Sequence, residues 1–371
     1  MRTTRCSWSC RSVSTDVRIL RFQATGFRNL APEVVEADAP VTVWWGGNGQ
    51  GKTNLLEAVA LLGALRSFRT AKLAECVALG SNSAEIDAAV EADGVLRRQA
   101  FRLGPGGRTL REDGRNIDAL HWLRGLRAVW FAPTDTAVVH GEPALRRALV
   151  ERACLTVAPA YLALGQHLRR VLEQRGAALR TRVDEDTLVA LDAAFVDIAR
   201  RVTAARAATV QAMAAAFSKA YEELSGGESA SVAYRPWLTP ERGEFSAWLH
   251  AHRPAERAAG RCLGGPQMDE LVLTVAGRPA RTCASRGQAR SLVLAWKLAE
   301  LQAARTGGDA PLFLMDDLGS ELDAARTERL VGMVRALGSQ VFVTTTDPRH
   351  VPDLGGEVRA FQVEAGRVRP G

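Results

Sequence analysis

A chain of 371 residues, 47% hydrophobic and 24% charged, has an ordinary globular composition and enough length for a large core or two lobes. No stretch approaches the roughly 20 apolar residues of a membrane span, and the N-terminus lacks the apolar segment of a secretory signal, so neither membrane nor export is expected and the reading is cytoplasmic. The 48 basic against 41 acidic residues leave a net charge of +7, which favours a polyanionic partner such as nucleic acid.

Only four of the basic residues are lysine, so an arginine bias carries most of that charge and weakens the inference. Cys6, Cys10, Cys76, Cys154, Cys262 and Cys283 form no CxxC pair and have no histidine at ligand spacing. They read as reduced thiols, neither a zinc site nor a disulfide framework.

Residues 1–16 lack periodicity and read as a disordered leader or a misassigned start. A strand pattern begins near Val17, and Val41-Thr42-Val43-Trp44-Trp45 reads as a buried strand ending at glycines, with a helix beginning near Asn54. Short alternating segments from about 85 to 117 suggest an antiparallel sheet. These elements make residues 17–142 the N-terminal part of an α/β nucleotide-binding head. From 143 to 225 the Ala, Leu and Arg content and 3.6-type spacing predict a helical lobe, broken near Arg182-Val183-Asp184, without heptads long enough for a coiled-coil arm. Residues 226–371 return to α/β: a mixed stretch, a helix over 287–305, a strand at 312–315, a helix over 323–337 and a strand at 340–344. The alternation implies a parallel sheet with covering helices.

Gly46-Gly47-Asn48-Gly49-Gln50-Gly51-Lys52-Thr53 fits GxxxxGK[ST] between a predicted strand and helix. In that context the loop N–H groups and helix dipole wrap phosphates, Lys52 reaches the β- and γ-phosphates of ATP, and Thr53 ligates Mg²⁺. The alternative, a glycine-rich turn that matches by chance, does not explain the flanking elements. Asp316-Asp317 follows the apolar run Leu312–Met315, at the strand end where open α/β sheets bind ligands. Asp316 is the candidate Mg²⁺ ligand and Asp317 the group that polarises the attacking water, against the bland reading of a solvated pair.

Two segments compete for the serine-bearing signature that ABC-type ATPases present to a partner's nucleotide. Leu224-Ser225-Gly226-Gly227-Glu228 is superficially closer to LSGGQ, but a strand-like run follows it. Ser285-Arg286-Gly287-Gln288 leads into a helical pattern, and the task requires N–H groups at a helix start. The second is therefore taken as the signature acting in trans. Ser320-Glu321-Leu322-Asp323 matches a D-loop. Thr345-Thr346-Asp347 stands where a γ-phosphate-sensing histidine is usual, and His350 falls a few residues late.

Together these motifs, from about Val17 to Val368, resemble the RecF family of recombination mediators, DNA-repair ABC-type ATPases related to SMC heads. Phe27-Arg28-Asn29 looks like the family's FRN, and Gly47 to Ala58 resembles its extended phosphate loop. Arg66-Ser67-Phe68-Arg69-Thr70 is similar to its RSxR segment, which makes Arg69 a candidate nucleotide contact. Phe131-Ala132-Pro133-Thr134-Asp135, Gly141-Glu142-Pro143 with Arg146-Arg147, Ser285–Gln288 as SRGQ, and Asp316-Asp317 with Ser320–Asp323 as DDxxSELD complete the likeness. Two departures occur: GPHRDDL stands as Gly265-Pro266-Gln267-Met268-Asp269-Glu270-Leu271, losing a His and an Arg, and Gly176 replaces a usual Asn.

The resemblance implies an ABC-type head interrupted by a helical lobe, working as a weak ATPase. Two copies would sandwich two ATP molecules, clamp gapped or double-stranded DNA near single-strand junctions, and release it on hydrolysis. RecR and RecO would be partners, with RecA loaded indirectly. Slow turnover is expected, because the short Asp317 stands where Glu is usual and no sensor histidine is evident. The chief alternative is the ATPase subunit of a transporter, disfavoured by the long interval between Lys52 and Ser285. An appended nuclease has little chain left after Thr344, and the intact Lys52, Asp316 and Asp317 argue against a clamp that never hydrolyses.

Overall fold

The computed structural model describes residues 17–306, 310–318, 324–350 and 358–371. The head begins with β1 (Arg18–Thr25), β2 (Val34–Glu36) and β3 (Val41–Trp45), then the helix α1 (Lys52–Ala64). Next come β4 (Ala84–Ala92), β5 (Val95–Gly104), β6 (Gly107–Glu112), β7 (Arg115–Asn116), α2 (Ala119–Gly125) and β8 (Ala128–Phe131). One sheet runs in the order β2-β1-β4-β5-β6-β7, and every pairing in it is antiparallel. Along β4 burial alternates strictly, with Ala84, Ile86, Ala88, Val90 and Ala92 inside, as expected of a sheet wet on one face.

Four helices follow: α3 (Ala137–His140), α4 (Pro143–Val157), α5 (Tyr161–Thr181) and α6 (Glu185–Ser225), the last three spanning the stretch expected to form the helical lobe. Then come β9 (Ala230–Arg235), α7 (Phe245–Ala259), β10 (Glu270–Val275), β11 (Arg278–Pro279), α8 (Ala280–Cys283) and α9 (Arg286–Thr306). The strands β11-β10-β9 form a small sheet against the 41-residue α6. At about 1.5 Å per residue α6 is on the order of 60 Å long, yet it stays packed on α5, α9 and β9 of its own chain. Residues beyond 225 also join the helical layer, because fully buried Arg175 of α5 bonds Asp192 of α6 at 2.7 Å and Glu256 of α7 at 2.6 Å.

The second head sheet takes β8 together with β12 (Leu312–Met315), β13 (Val341–Thr345), β14 (Val358–Glu364) and β15 (Arg367–Pro370), and draws β3 back into its centre. Its order is β15-β14-β3-β13-β12-β8, parallel except for β15. β8, β12 and β13 are buried along their whole length, the signature of parallel strands covered on both faces. Phe22 of the first sheet and Phe342 of the second both meet Trp44, at ring distances of 5.9 and 5.4 Å. α1 lies close enough to β8 that a Cβ on Gly63 would collide with Ala128.

Candidate functional site

The phosphate loop leaves β3 at the centre of the parallel sheet. Gly46 (φ 151°) runs under the Val363 carbonyl, and Gly51 (φ 115°) opens α1; a side chain is strained at both. Gln50 ties the loop to the β14–β15 hairpin: its Oε1 accepts from Ala365 N at 2.7 Å, and its carbonyl from Gly366 N at 2.8 Å. Gly47, Asn48 and Gly49 remain exposed.

Lys52 Nζ donates to the Gly46 and Gly47 carbonyls, each at 2.7 Å, so the loop closes over its own cation. Burial lowers the lysine pKa, while Asp317 and Asp316 oppose that shift. Thr53 Oγ1 donates to Asp316 Oδ1 at 2.9 Å, joining residues 263 apart. Thr344 Oγ1 donates to the same Oδ1 at 2.6 Å and accepts from Asp317 N at 2.8 Å. Asp316 N donates to the Phe131 carbonyl at 3.0 Å, which registers the acid between β8 and β13. Burial raises the Asp316 pKa, with the Thr344 and Thr53 hydrogen bonds acting against it. Thr53 and Asp316 are adjacent hard oxygen donors, the set that Mg²⁺ prefers beside phosphates, so the residues fit that ion.

Arg69 sits against the first turns of α1, its Nη1 donating to Asn54 Oδ1 at 2.6 Å and lying 3.6 Å from Glu57. Glu57 is the residue that sequence reasoning passed over. Its side chain is fully buried and is forked by Arg28, Nε at 2.9 Å and Nη2 at 2.8 Å. The Ser67 hydroxyl also donates to it, and the Cys76 thiol lies 3.7 Å away. Asn54 in turn donates to Asn29 at 2.6 Å. The segments Phe27–Asn29, Asn54–Ala58 and Arg66–Thr70 thus converge on one carboxylate that anchors the Arg69 loop. A charged residue in the apolar run Leu55-Leu56-Glu57-Ala58-Val59 was the available signal, since such residues are buried only when paired.

At the start of α9, Gln288 N donates to Ser285 Oγ at 3.2 Å and Ser285 N to Gln288 Oε1 at 2.8 Å. SRGQ is therefore also a reciprocal capping box. Ser285 and Arg286 are exposed, and among the described residues no hydrogen bond or ion pair joins Ser285–Gln288 to the phosphate loop. The competing segment ends α6: Gly226 (φ 82°) and Gly227 both donate to the Glu222 carbonyl, and β9 follows. The two segments nevertheless touch. Glu228 accepts from Gln288 Nε2 at 2.8 and 3.1 Å and from Tyr221 Oη at 2.7 Å, a contact across 60 residues that no pattern announced.

Ser320, Glu321, Leu322 and Asp323 lie outside the described residues, as does the 1–16 segment. At the end of β13, Thr345 Oγ1 donates to the Asp347 carbonyl at 3.0 Å, and Arg349 forks Asp347. In the departing Gly265–Leu271 segment the acids are consumed internally: buried Asp269 accepts from Arg206 at 3.1 Å, from Trp237 N at 2.8 Å and from Tyr234 Oη. Glu270 is forked by Arg146 at 2.7 and 2.9 Å. Arg146 is therefore a buried structural residue.

No family model matches the chain. A curated "DNA replication and repair protein RecF" from Anaeromyxobacter sp. (strain Fw109-5) is 38% identical over 95% of this chain and 99% of its own length. The protein of that name from Geobacter metallireducens is 35% identical with the same coverage. Among solved structures, one of "the recombination mediator protein RecF-ATPrS in RecFOR pathway" superposes with a TM-score of 0.87 at 25% identity, covering 96% of this chain and 99% of that one. An Smc head domain from Pyrococcus furiosus shares the fold at a TM-score of 0.55 and 16% identity, over 95% of each chain.

Proposed function

This chain belongs to the RecF family and has its ABC-type P-loop ATPase head, and we propose that it is an ATP-dependent DNA clamp of recombinational repair and replication-gap processing. The observation that carries the reading is the division of the site. Lys52, Thr53, Asp316 and Asp317 gather at one end of the parallel sheet, while the exposed Ser285 cap of α9 has no bond to that loop. A second copy is needed to bring a signature to the nucleotide.

In this scheme Lys52 leaves the Gly46 and Gly47 carbonyls for the β- and γ-phosphates, and Gly46 to Thr53 wrap them. Thr53 and Asp316 would hold Mg²⁺, which neutralises phosphate charge. Asp317 accepts the proton of the attacking water. Arg69, fixed by Glu57 and Asn54, reaches the same nucleotide, and Ser285 to Gln288 of the partner copy close over its γ-phosphate. The D-loop Ser320–Asp323 is assigned to the dimer interface. The short Asp317 and the Thr345-Thr346-Asp347 strand end support slow hydrolysis, which releases the clamp. DNA is the partner that the +7 charge and the relatives' names support. The pathway named for the structural relative supports RecR and RecO, and through them RecA. No described helix is long and apolar enough to cross a membrane, and the assigned work belongs in the cytoplasm.

Sedimentation of the chain with ATP and a gapped duplex tests this. A doubled protein mass that retains the duplex is expected. A species that stays monomeric with ATP and ignores DNA would refute the clamp.

A further inference from the structure

Three residues before Arg69, Arg66 lines a cleft of about 1040 Å³ between its own loop, Trp130 of β8, and the helices α4 and α5. No residue of Gly46–Thr53 lines it. Seven arginines and two glutamates do, and one of those glutamates, Glu151, is already engaged by Arg206 at 2.7 Å. Arg66 and Arg169 make no hydrogen bond or ion pair among the described residues. Arg108 reaches only the Leu65 carbonyl, at 3.2 Å. Arg152 lies 3.6 Å from Asp135, and its Nε is buried without an acceptor.

Gathering like charges in a partly buried recess raises the free energy of the empty protein. Burial lowers the Arg66 pKa, Arg169 and Arg152 lower it further, and Glu151 offsets them only in part. Arg108 is lowered by burial and then by Arg66. A multivalent anion relieves all four at once, and the guanidinium fork matches phosphate oxygens.

We propose that this cleft is a second phosphate-binding site, separate from the phosphate loop, that takes the phosphates of a single nucleic-acid strand or of a free polyphosphate. The inference stands whether or not the chain clamps DNA. Its occupant ties the Arg66 loop to α5, and because Ser67 anchors that loop to Glu57, it also steadies Arg69 beside the nucleotide site.

The test uses the full chain carrying Lys52→Ala, so that the phosphate loop does not report. Anisotropy of a short fluorescent single strand is measured across a salt series, with inorganic tripolyphosphate as competitor. Arg66→Ala with Arg169→Ala should weaken strand binding at least about tenfold and flatten the salt slope by roughly one or more. Arg200→Ala with Arg201→Ala, which removes the same charge from the exposed face of α6, should change binding less than about twofold. Equal losses from the two pairs, or none from the first, would overturn the site.

Displacement by tripolyphosphate with the same arginine dependence assigns free polyphosphate to the cleft, whereas a strand that tripolyphosphate cannot displace is itself the occupant. Melting gives a second reading. Arg66→Met should melt higher than its parent without anion, because repulsion is relieved, and should lose the stabilisation that tripolyphosphate confers. A lower melting point would mark Arg66 as merely structural and sink the proposal.

Discussion

Glu57→Gln is the most informative single change, because it removes one charge and almost no volume from the carboxylate that anchors the Arg69 loop. The Glu57 side chain is 0% exposed and that of Arg28 is 19% exposed. Removing one member of a buried pair costs about 3–5 kcal/mol when the other charge is left uncompensated. Here Arg28 keeps the Glu75 carbonyl at 2.7 Å and some contact with water, so a loss of about 2–3 kcal/mol is expected. At roughly 2 °C per kcal/mol for a chain of this size, the melting temperature should fall by about 4–6 °C. ATP affinity should fall as well, since Arg69 loses its neighbour at 3.6 Å. The assay is thermal unfolding with and without ATP, run as a double-mutant cycle with Arg28→Met. Because the two side chains act as a pair, the double variant should melt close to the worse single variant. Additive losses, or a Glu57→Gln protein melting within about 1 °C of its parent, would refute the pairing argument.

Lys52→Ala should weaken ATP binding by at least about tenfold, read by titration with a fluorescent nucleotide, since a charge-assisted contact to phosphate is lost. Ser285→Arg should leave that titration unchanged while abolishing the ATP-dependent dimer in sedimentation; normal dimers would move the signature elsewhere. Glu228→Ala frees Gln288 and Tyr221 and should weaken ATP-dependent dimerisation about five- to tenfold without altering nucleotide affinity in the monomer. Burial pushes the Cys76 and Cys154 thiols from 9.0 up to about 11. Between those values the unfolded chain releases protons that the folded chain keeps, so stability falls as pH rises through that window. Cys154→Ala should flatten this slope in urea melts taken across it. Peptide mapping after iodoacetamide at neutral pH should find exposed Cys283 modified before buried Cys76, Cys154 and Cys262.

What could be read in the chain itself was whatever is encoded locally. The phosphate loop is eight consecutive residues between a strand and a helix, and Asp316-Asp317 is an apolar strand followed by acids; each carries its chemistry in its own spacing. Burial on both faces made β12 a continuous apolar run and gave β13 its apolar start Val341-Phe342-Val343, and burial on one face made β4 alternate, so both sheet types left a signal in the sequence. Tertiary structure alone decided how distant pieces meet. β3 lies between β13 and β14 because the chain returns to it after the whole helical lobe, and that return sets Thr53 against Asp316. Glu57 draws Arg28 from one loop and Ser67 and Arg69 from another, and Glu228 holds Gln288 across 60 residues. Such contacts have no period and no fixed spacing. They arise because a carboxylate taken out of water must find its donors wherever the fold brings them.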